Sequence, residues 1–392
     1  MRIYNMHSFL KILCCIHVVL LSAFTPIQAD ELSDNFHFNG FYTLDYTVTK
    51  NDLNLISNSE QHVRYQAEHA SFKNSLIGGQ LSYQFTDDFK AVVQGKFYDD
   101  TDADLRSFSD SIAQLDWAYL SYDFGDDVTV RAGRFQIPFM QGTELRNISF
   151  SRLWARPLIP STGAGGLQDY TGGELLKHMS VGDSNWDFQL ALGKANHGLD
   201  EIDNKNIKLL SVRYQQDAFW LRAAILASQY SMFTKDDKLI TDSGDGVMFN
   251  LESEYVIGSY LFNAGYSISR TDITPDDTNY YLSIAYQSND ITPYIYHSHF
   301  NQFFEPYRLQ SEIGLPPRLP GSPPPTPGDT PRPIQASGNV DIYNWAVGAK
   351  YLINERYAIK VQLEHIKEED NASSPADNGE GNALSIVFEG IF

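Results

Sequence analysis

Between residues 140 and 169, three guanidinium groups, Arg146, Arg152 and Arg156, stand against two carboxylates, Glu144 and Asp169. That single excess positive charge is unimportant in open water. In a narrow, partly desolvated passage it is not, because a charge about 4 Å from an ion at an effective dielectric near 20 is worth about 4 kcal/mol. Gly163, Gly165 and Gly166 give the same segment the backbone freedom that a sharp bend in a confined space requires. Other candidate constellations are weaker. Asp100, Asp102 and Asp104 repeat the odd-position carboxylates of a calcium loop, but Leu105 stands where that loop needs Gly and Ser111 where it needs Glu. These acids, with Glu368, Glu369 and Asp370, are expected to face water. His297 and His299 share one strand face and could share a metal, yet no third ligand accompanies them. No Gly-x-Ser-x-Gly elbow, His-Glu-x-x-His pair or Gly-rich phosphate loop occurs, so neither an enzyme activity nor a cofactor is expected.

The elements that hold these residues follow from composition. The chain has 392 residues, 29 basic against 49 acidic, with 13% aromatic residues and only two cysteines. Such aromatic and β-branched content excludes disorder, and two cysteines exclude a disulfide scaffold. A formal charge of −20 without a basic stripe argues against a nucleic-acid partner. Arg2 and Lys11 precede an apolar run from Ile12 to Phe24, and Ile27-Gln28-Ala29 offers a small-residue cleavage site. Residues 1–29 therefore read as a secretory signal peptide, leaving 30–392 as the mature chain. Its removal takes away both cysteines and two positive charges.

From Phe36 on, apolar residues recur with period 2. Sixteen such runs fall at about 36–48, 76–85, 89–98, 112–124, 128–139, 170–182, 186–194, 206–216, 218–230, 247–256, 260–271, 280–287, 291–300, 340–352, 357–366 and 382–392. Their length suits tilted strands crossing a bilayer. Short polar turns such as Thr86-Asp87-Asp88, Gly125-Asp126-Asp127 and Ser288-Asn289-Asp290 alternate with longer connections, among them 140–169 and 301–339. The second of these is Pro-rich and is expected to be an extended extracellular loop, since 316–333 hold nine of the seventeen prolines. Even strand count, alternating loop length and aromatic residues at strand ends predict an all-β, 16-stranded antiparallel transmembrane β-barrel with short periplasmic turns and long extracellular loops. A soluble β-sandwich also alternates, but its strands are shorter and its edges open.

Parity assigns the faces. On the third run Phe89, Ala91, Val93 and Phe97 face out, leaving Lys90 and Lys96 inside; on the ninth Phe219, Leu221, Ala223 and Ile225 face out and Arg222 faces in. Extending the alternation places Lys90, Lys96, Arg131, Arg213, Arg222, Lys350 and Lys360 in the lumen against Asp45, Asp116, Glu174, Asp187, Glu252, Glu254 and Glu364. A polar inner face in a barrel this wide implies water.

The last run, Ala383 to Phe392, puts Leu384, Ile386, Phe388 and the terminal Phe392 on one face. It resembles the C-terminal strand of the general bacterial outer-membrane porin superfamily, and that resemblance covers essentially the whole mature chain. A local similarity to the phosphate-selective porin group lies in Val130 to Phe139, where Gly133-Arg134 and Pro138 precede the third long loop. The arginine ladder that would carry phosphate selectivity is not found. The resemblance implies a location in the bacterial outer membrane, among its lipids, and the acids at the outer mouth are expected to meet lipopolysaccharide through bridging divalent cations. It also implies a homotrimer, and a terminal Phe392 read by the barrel-assembly machinery as its assembly signal. In such proteins the third loop folds inward, so Arg146, Arg152, Arg156 and Glu144 are expected at a channel constriction. The function expected is passive diffusion of small hydrophilic solutes with a weak lean to anions. The alternative is a plugged barrel acting as a surface adhesin or structural protein.

Overall fold

The computed structural model describes residues 35–51, 70–72, 75–98, 113–140, 143, 148–156, 169–196, 202–233, 239–271, 276–304, 338–370 and 379–392. Sixteen long strands make up most of it. They are β1 (Phe36–Asn51), β2 (Leu76–Thr86), β3 (Phe89–Tyr98), β4 (Ala113–Phe124), β5 (Val128–Gln136), β6 (Asp169–Val181), β7 (Ser184–Asn196) and β8 (Ile202–Gln216). The second half comprises β9 (Phe219–Phe233), β10 (Leu239–Ile257), β11 (Tyr260–Thr271), β12 (Asp276–Tyr286), β13 (Ile291–Phe304), β14 (Gly338–Leu352), β15 (Tyr357–Asp370) and β16 (Gly379–Ile391). A two-residue piece, Ala70–Ser71, also pairs with β1. Each strand pairs antiparallel with its sequence neighbour, and β16 returns to β1 from Phe41↔Ile391 to Asn51↔Gly381. The sheet is a closed barrel without a free edge.

Every one of the sixteen expected runs is a strand, with instructive differences at the ends. β10 starts eight residues before its expected start at 247, and β8, β12, β13 and β15 also extend at their long-loop ends. Backbone pairing there continues past the point where side-chain alternation fades, because ladder hydrogen bonds do not need an apolar face. β5 does the reverse and stops at Gln136 instead of 139, because the chain turns inward at Ile137-Pro138.

The short turns require left-handed backbone. Gly125, Gly182 and Gly258 have φ of 67°, 61° and 58°, and Asp217 has 49°. Glycine carries no Cβ penalty there, and aspartate tolerates the region better than most residues. Above these turns the aromatic side chains meet in a girdle. Tyr83, Phe85, Phe89, Tyr122 and Phe124 touch in sequence around β2 to β4, as do Trp186, Tyr214, Phe219 and Tyr255 around β7 to β10. At the seam Phe392 lies 6.1 Å from the Phe38 ring and covers Gly40, where a Cβ would sit 2.1 Å from the Phe392 ring. Gly40 and Phe392 also exchange both backbone hydrogen bonds, at 2.9 and 2.6 Å. The Phe392 ring is thus packed against the seam at a position where only glycine fits.

Candidate functional site

The site begins where β5 ends. Thr143 fastens the inward turn, its hydroxyl donating to the Ile137 and Met140 carbonyls at 2.9 and 2.7 Å. Ile137, Phe139 and Met140 are then buried inside the barrel against Phe135, Tyr170, Ala191, Ala195, Ile207, Leu209, Ala224, Leu226 and Met248. This bed comes from the inner faces of β5 to β10 and is apolar, unlike the polar lining expected from parity. The physical reason is that the wall faces protein here instead of water. At its border Arg222 donates to the Pro138 carbonyl and to Ser211 Oγ, and lies 3.8 Å from Glu252.

The second contact lies on the opposite side of the barrel, where residues 148–156 rest on the inner faces of β12 to β16. Ser149–Ser151 forms a single 3-10 turn. The Lys360 ammonium donates to the Ser149 carbonyl at 2.7 Å and the Trp154 carbonyl at 3.2 Å, and forms an ion pair with Glu389 at 2.9 Å. Lys350 reaches the Phe150 and Arg152 carbonyls at 2.6 and 3.3 Å. The Ala155 amide donates to Gln362 at 3.1 Å and to the Tyr294 hydroxyl at 3.3 Å. Trp154 donates to Ser283 at 3.3 Å and meets the Tyr281 and Tyr296 rings edge-on. Arg156 is buried and lies 3.5 Å from Glu364, which also accepts from Tyr296 at 2.7 Å and Gln362 at 2.8 Å.

One loop therefore binds the near wall through apolar contacts and the far wall through hydrogen bonds and ion pairs, so it spans the interior. No family model matches the chain, and no curated protein does. Among solved structures, the barrel is similar to OmpT of Vibrio cholerae in its trimer form, at 9% identity over 92% of this chain and 100% of that one, with a TM-score of 0.55. It is similar to OmpF of Salmonella typhi at 13% identity over 91% and 98%, with a TM-score of 0.54. An anion-selective porin from Comamonas acidovorans matches at 13% identity over 91% and 100%, with a TM-score of 0.54. The chain has the porin fold.

Within this barrel the expected site residues divide into three groups. Glu144 and Arg146 lie outside the described residues. Lys360 and Glu364 point inward, yet the 149–156 strap covers them to 0% and 1% exposure. They form a bed for the loop. Arg152 is half-buried, and its carbonyl is held by Lys350. The rest line the inner wall in local pairs. Lys96 is 3.6 Å from Asp116, and Arg131 pairs with Glu174 while lying over the Tyr119 and Phe135 rings at 5.3 and 5.5 Å. Arg213 stacks on Trp220 at 5.1 Å, and Asp187 meets His178 at 2.7 Å near the short-turn end. Asp45 accepts from Thr47 at 2.7 Å. Lys90 and Glu254 are half-buried.

Sequence reasoning missed the anchors Tyr294, Gln362 and Ser283, whose polar side chains look like ordinary lumen residues. It also missed the apolar bed, for which a signal existed. Ala223 to Ala227 is an unbroken apolar run, the pattern of a strand covered on both faces.

Proposed function

We propose that the protein is an outer-membrane channel for passive diffusion of small hydrophilic solutes, narrowed by the loop from Ile137 to Arg156. The observation that carries this reading is the spanning of the interior by that loop, with Lys360, Lys350, Gln362 and Tyr294 holding its far end. A fixed strap across a wide barrel divides its cross-section and brings backbone dipoles and side chains close to a passing solute.

The weak lean to anions belongs to the same proposal. Arg156 adds little to it, because Glu364 lies beside it in a dry bed. The preference rests on Arg152, with Arg146 against Glu144. The adhesin reading differs in one property, since a plugged barrel passes no current. Planar-bilayer recording of the purified protein tests both points. Stable single-channel steps with a reversal potential on the anion side are expected; absence of steps would favour the plugged barrel.

Cleavage after Ala29, assembly directed by Phe392, trimer formation and contact with outer-membrane lipopolysaccharide complete the proposal. The seam geometry of Phe392 over Gly40 supports a role for that ring in closure. Catalysis is not part of the reading. Ser180, His178 and Asp187 do form a hydrogen-bonded chain, at 3.4 and 2.7 Å. The His178 and Asp187 side chains are 47% and 50% exposed, so water screens the field that would have to activate the hydroxyl.

A further inference from the structure

Cations on the inner wall are mostly neutralised by a neighbouring carboxylate. Lys96 pairs with Asp116, Arg131 with Glu174, Arg222 with Glu252 and Lys360 with Glu389. Arg213 departs from this pattern. It stands on β8 between two cross-strand partners, Asp187 on β7 and Arg222 on β9. The Asp187 carboxylate turns away from it, to His178 Nδ1 at 2.7 Å. Among the described residues Arg213 has no ion-pair partner. Its guanidinium lies instead over the Trp220 ring, 5.1 Å from the centroid.

The position gives this cation a use. Arg222, its neighbour in the same row, holds the Pro138 carbonyl where the inward loop leaves the wall. Arg213 is therefore one strand away from the loop stem, close to the short turn at Asp217. A solute that has cleared the loop meets it on the short-turn side. The indole fixes the side chain. Trp220 is itself buried, and Arg213 Nε is buried without a hydrogen bond, while the terminal nitrogens are left to the lumen. A guanidinium held on one face keeps a planar fork of donors along its edge and a second flat face open. The edge matches a carboxylate bidentately, and the open face accepts another planar group.

We propose that Arg213 on Trp220 is a binding site for planar monocarboxylate solutes, with the carboxylate on the guanidinium edge and the flat body against its open face. The surroundings select a single negative charge. Asp187 is the cross-strand partner of Arg213, and Glu254 is that of Trp220, so two carboxylates flank one unpaired cation. A dianion such as phosphate meets their repulsion without a second cation to offset it. One fork gives weak binding, which suits a channel, because a solute must leave as readily as it enters. The inference rests on the channel reading and names a solute class for it.

The test titrates the detergent-solubilised barrel calorimetrically with sodium benzoate, empty micelles serving as the blank, and records single channels from the same preparations. Wild type should bind benzoate more tightly than acetate or inorganic phosphate. Arg213→Gln should weaken benzoate about tenfold, the loss of a charge-assisted fork. Arg213→Lys keeps the charge but offers neither fork nor flat face, so benzoate should still bind several-fold more weakly. Heat-modifiable mobility confirms that each variant has folded, and the lysine variant is the gentler of the two. Equal benzoate affinity in wild type and Arg213→Gln would overturn the site. Full affinity in Arg213→Lys, or phosphate bound as tightly as benzoate, would overturn the solute class. Benzoate binding without channel steps would sink the channel reading and support the site; steps without benzoate binding would do the reverse.

Discussion

The two walls that hold the inward loop use opposite chemistry. The wall of β5 to β10 takes Ile137, Phe139 and Met140 into an apolar bed, where contact is non-directional and similar volumes are interchangeable. The wall of β12 to β16 takes residues 149–156 onto Lys350, Lys360, Gln362, Tyr294 and Glu364, where each bond has a direction and a partner. Apolar burial near the stem fixes that the loop enters the barrel. Polar pairing at the far end fixes where it stops. A buried ion pair is a poor source of net stability, since desolvating both charges offsets their attraction. Its use at the far wall fits positioning, which directional bonds provide and apolar contact does not.

The largest test of this contrast is Lys360→Met. It leaves Glu389 buried without its cation and frees two loop carbonyls, and breaking one partner of a buried pair costs about 3–5 kcal/mol. Lower urea resistance and noisier current from a loosened strap are expected. Adding Glu389→Leu removes the stranded charge and should recover much of the stability but not the quiet current. Recovery of both would mean the lysine bonds do not position the strap.

On the apolar wall, Leu226→Ala should cost about 2–5 kcal/mol, while Leu226→Met should cost less than about 1.5 kcal/mol. Comparable losses from both would contradict a shape-tolerant bed. Tyr294→Phe removes one hydroxyl that bridges Ala155 and Gln362 and should cost about 0.5–1.5 kcal/mol, visible as a small shift in the denaturation midpoint. The smallest stability effect belongs to Arg152→Ala, within about 0.5 kcal/mol. Its reversal potential should nevertheless move toward cations. A large stability loss with no change in selectivity would make Arg152 an anchor like its neighbours.

The same contrast explains what the sequence made legible. Strand count and facing were readable because a wall between lipid and lumen imposes period 2 on every crossing, as in Phe89 to Phe97 and Tyr357 to Leu363. Strand ends above the membrane were not, since the β10 segment from Leu239 is paired by backbone without an alternating face. The inward loop was legible as a length and a charge excess. Its partners were not, because Lys360 lies more than 200 residues from Ser149 and nothing local marks it as an anchor. Parity gives the direction of Lys360 and Glu364 but is silent on whether water or a strap lies above them.

The most direct test of the account is single-channel conductance after the far end of the loop is removed. Residues 149–156 would be replaced by a short Gly-Ser linker, with heat-modifiable mobility confirming that the barrel still closes. If the strap narrows the passage, conductance must rise well above wild type, and the anion preference tied to Arg152 must weaken. Unchanged conductance in a folded barrel would show that the narrowest point lies elsewhere and would contradict the account.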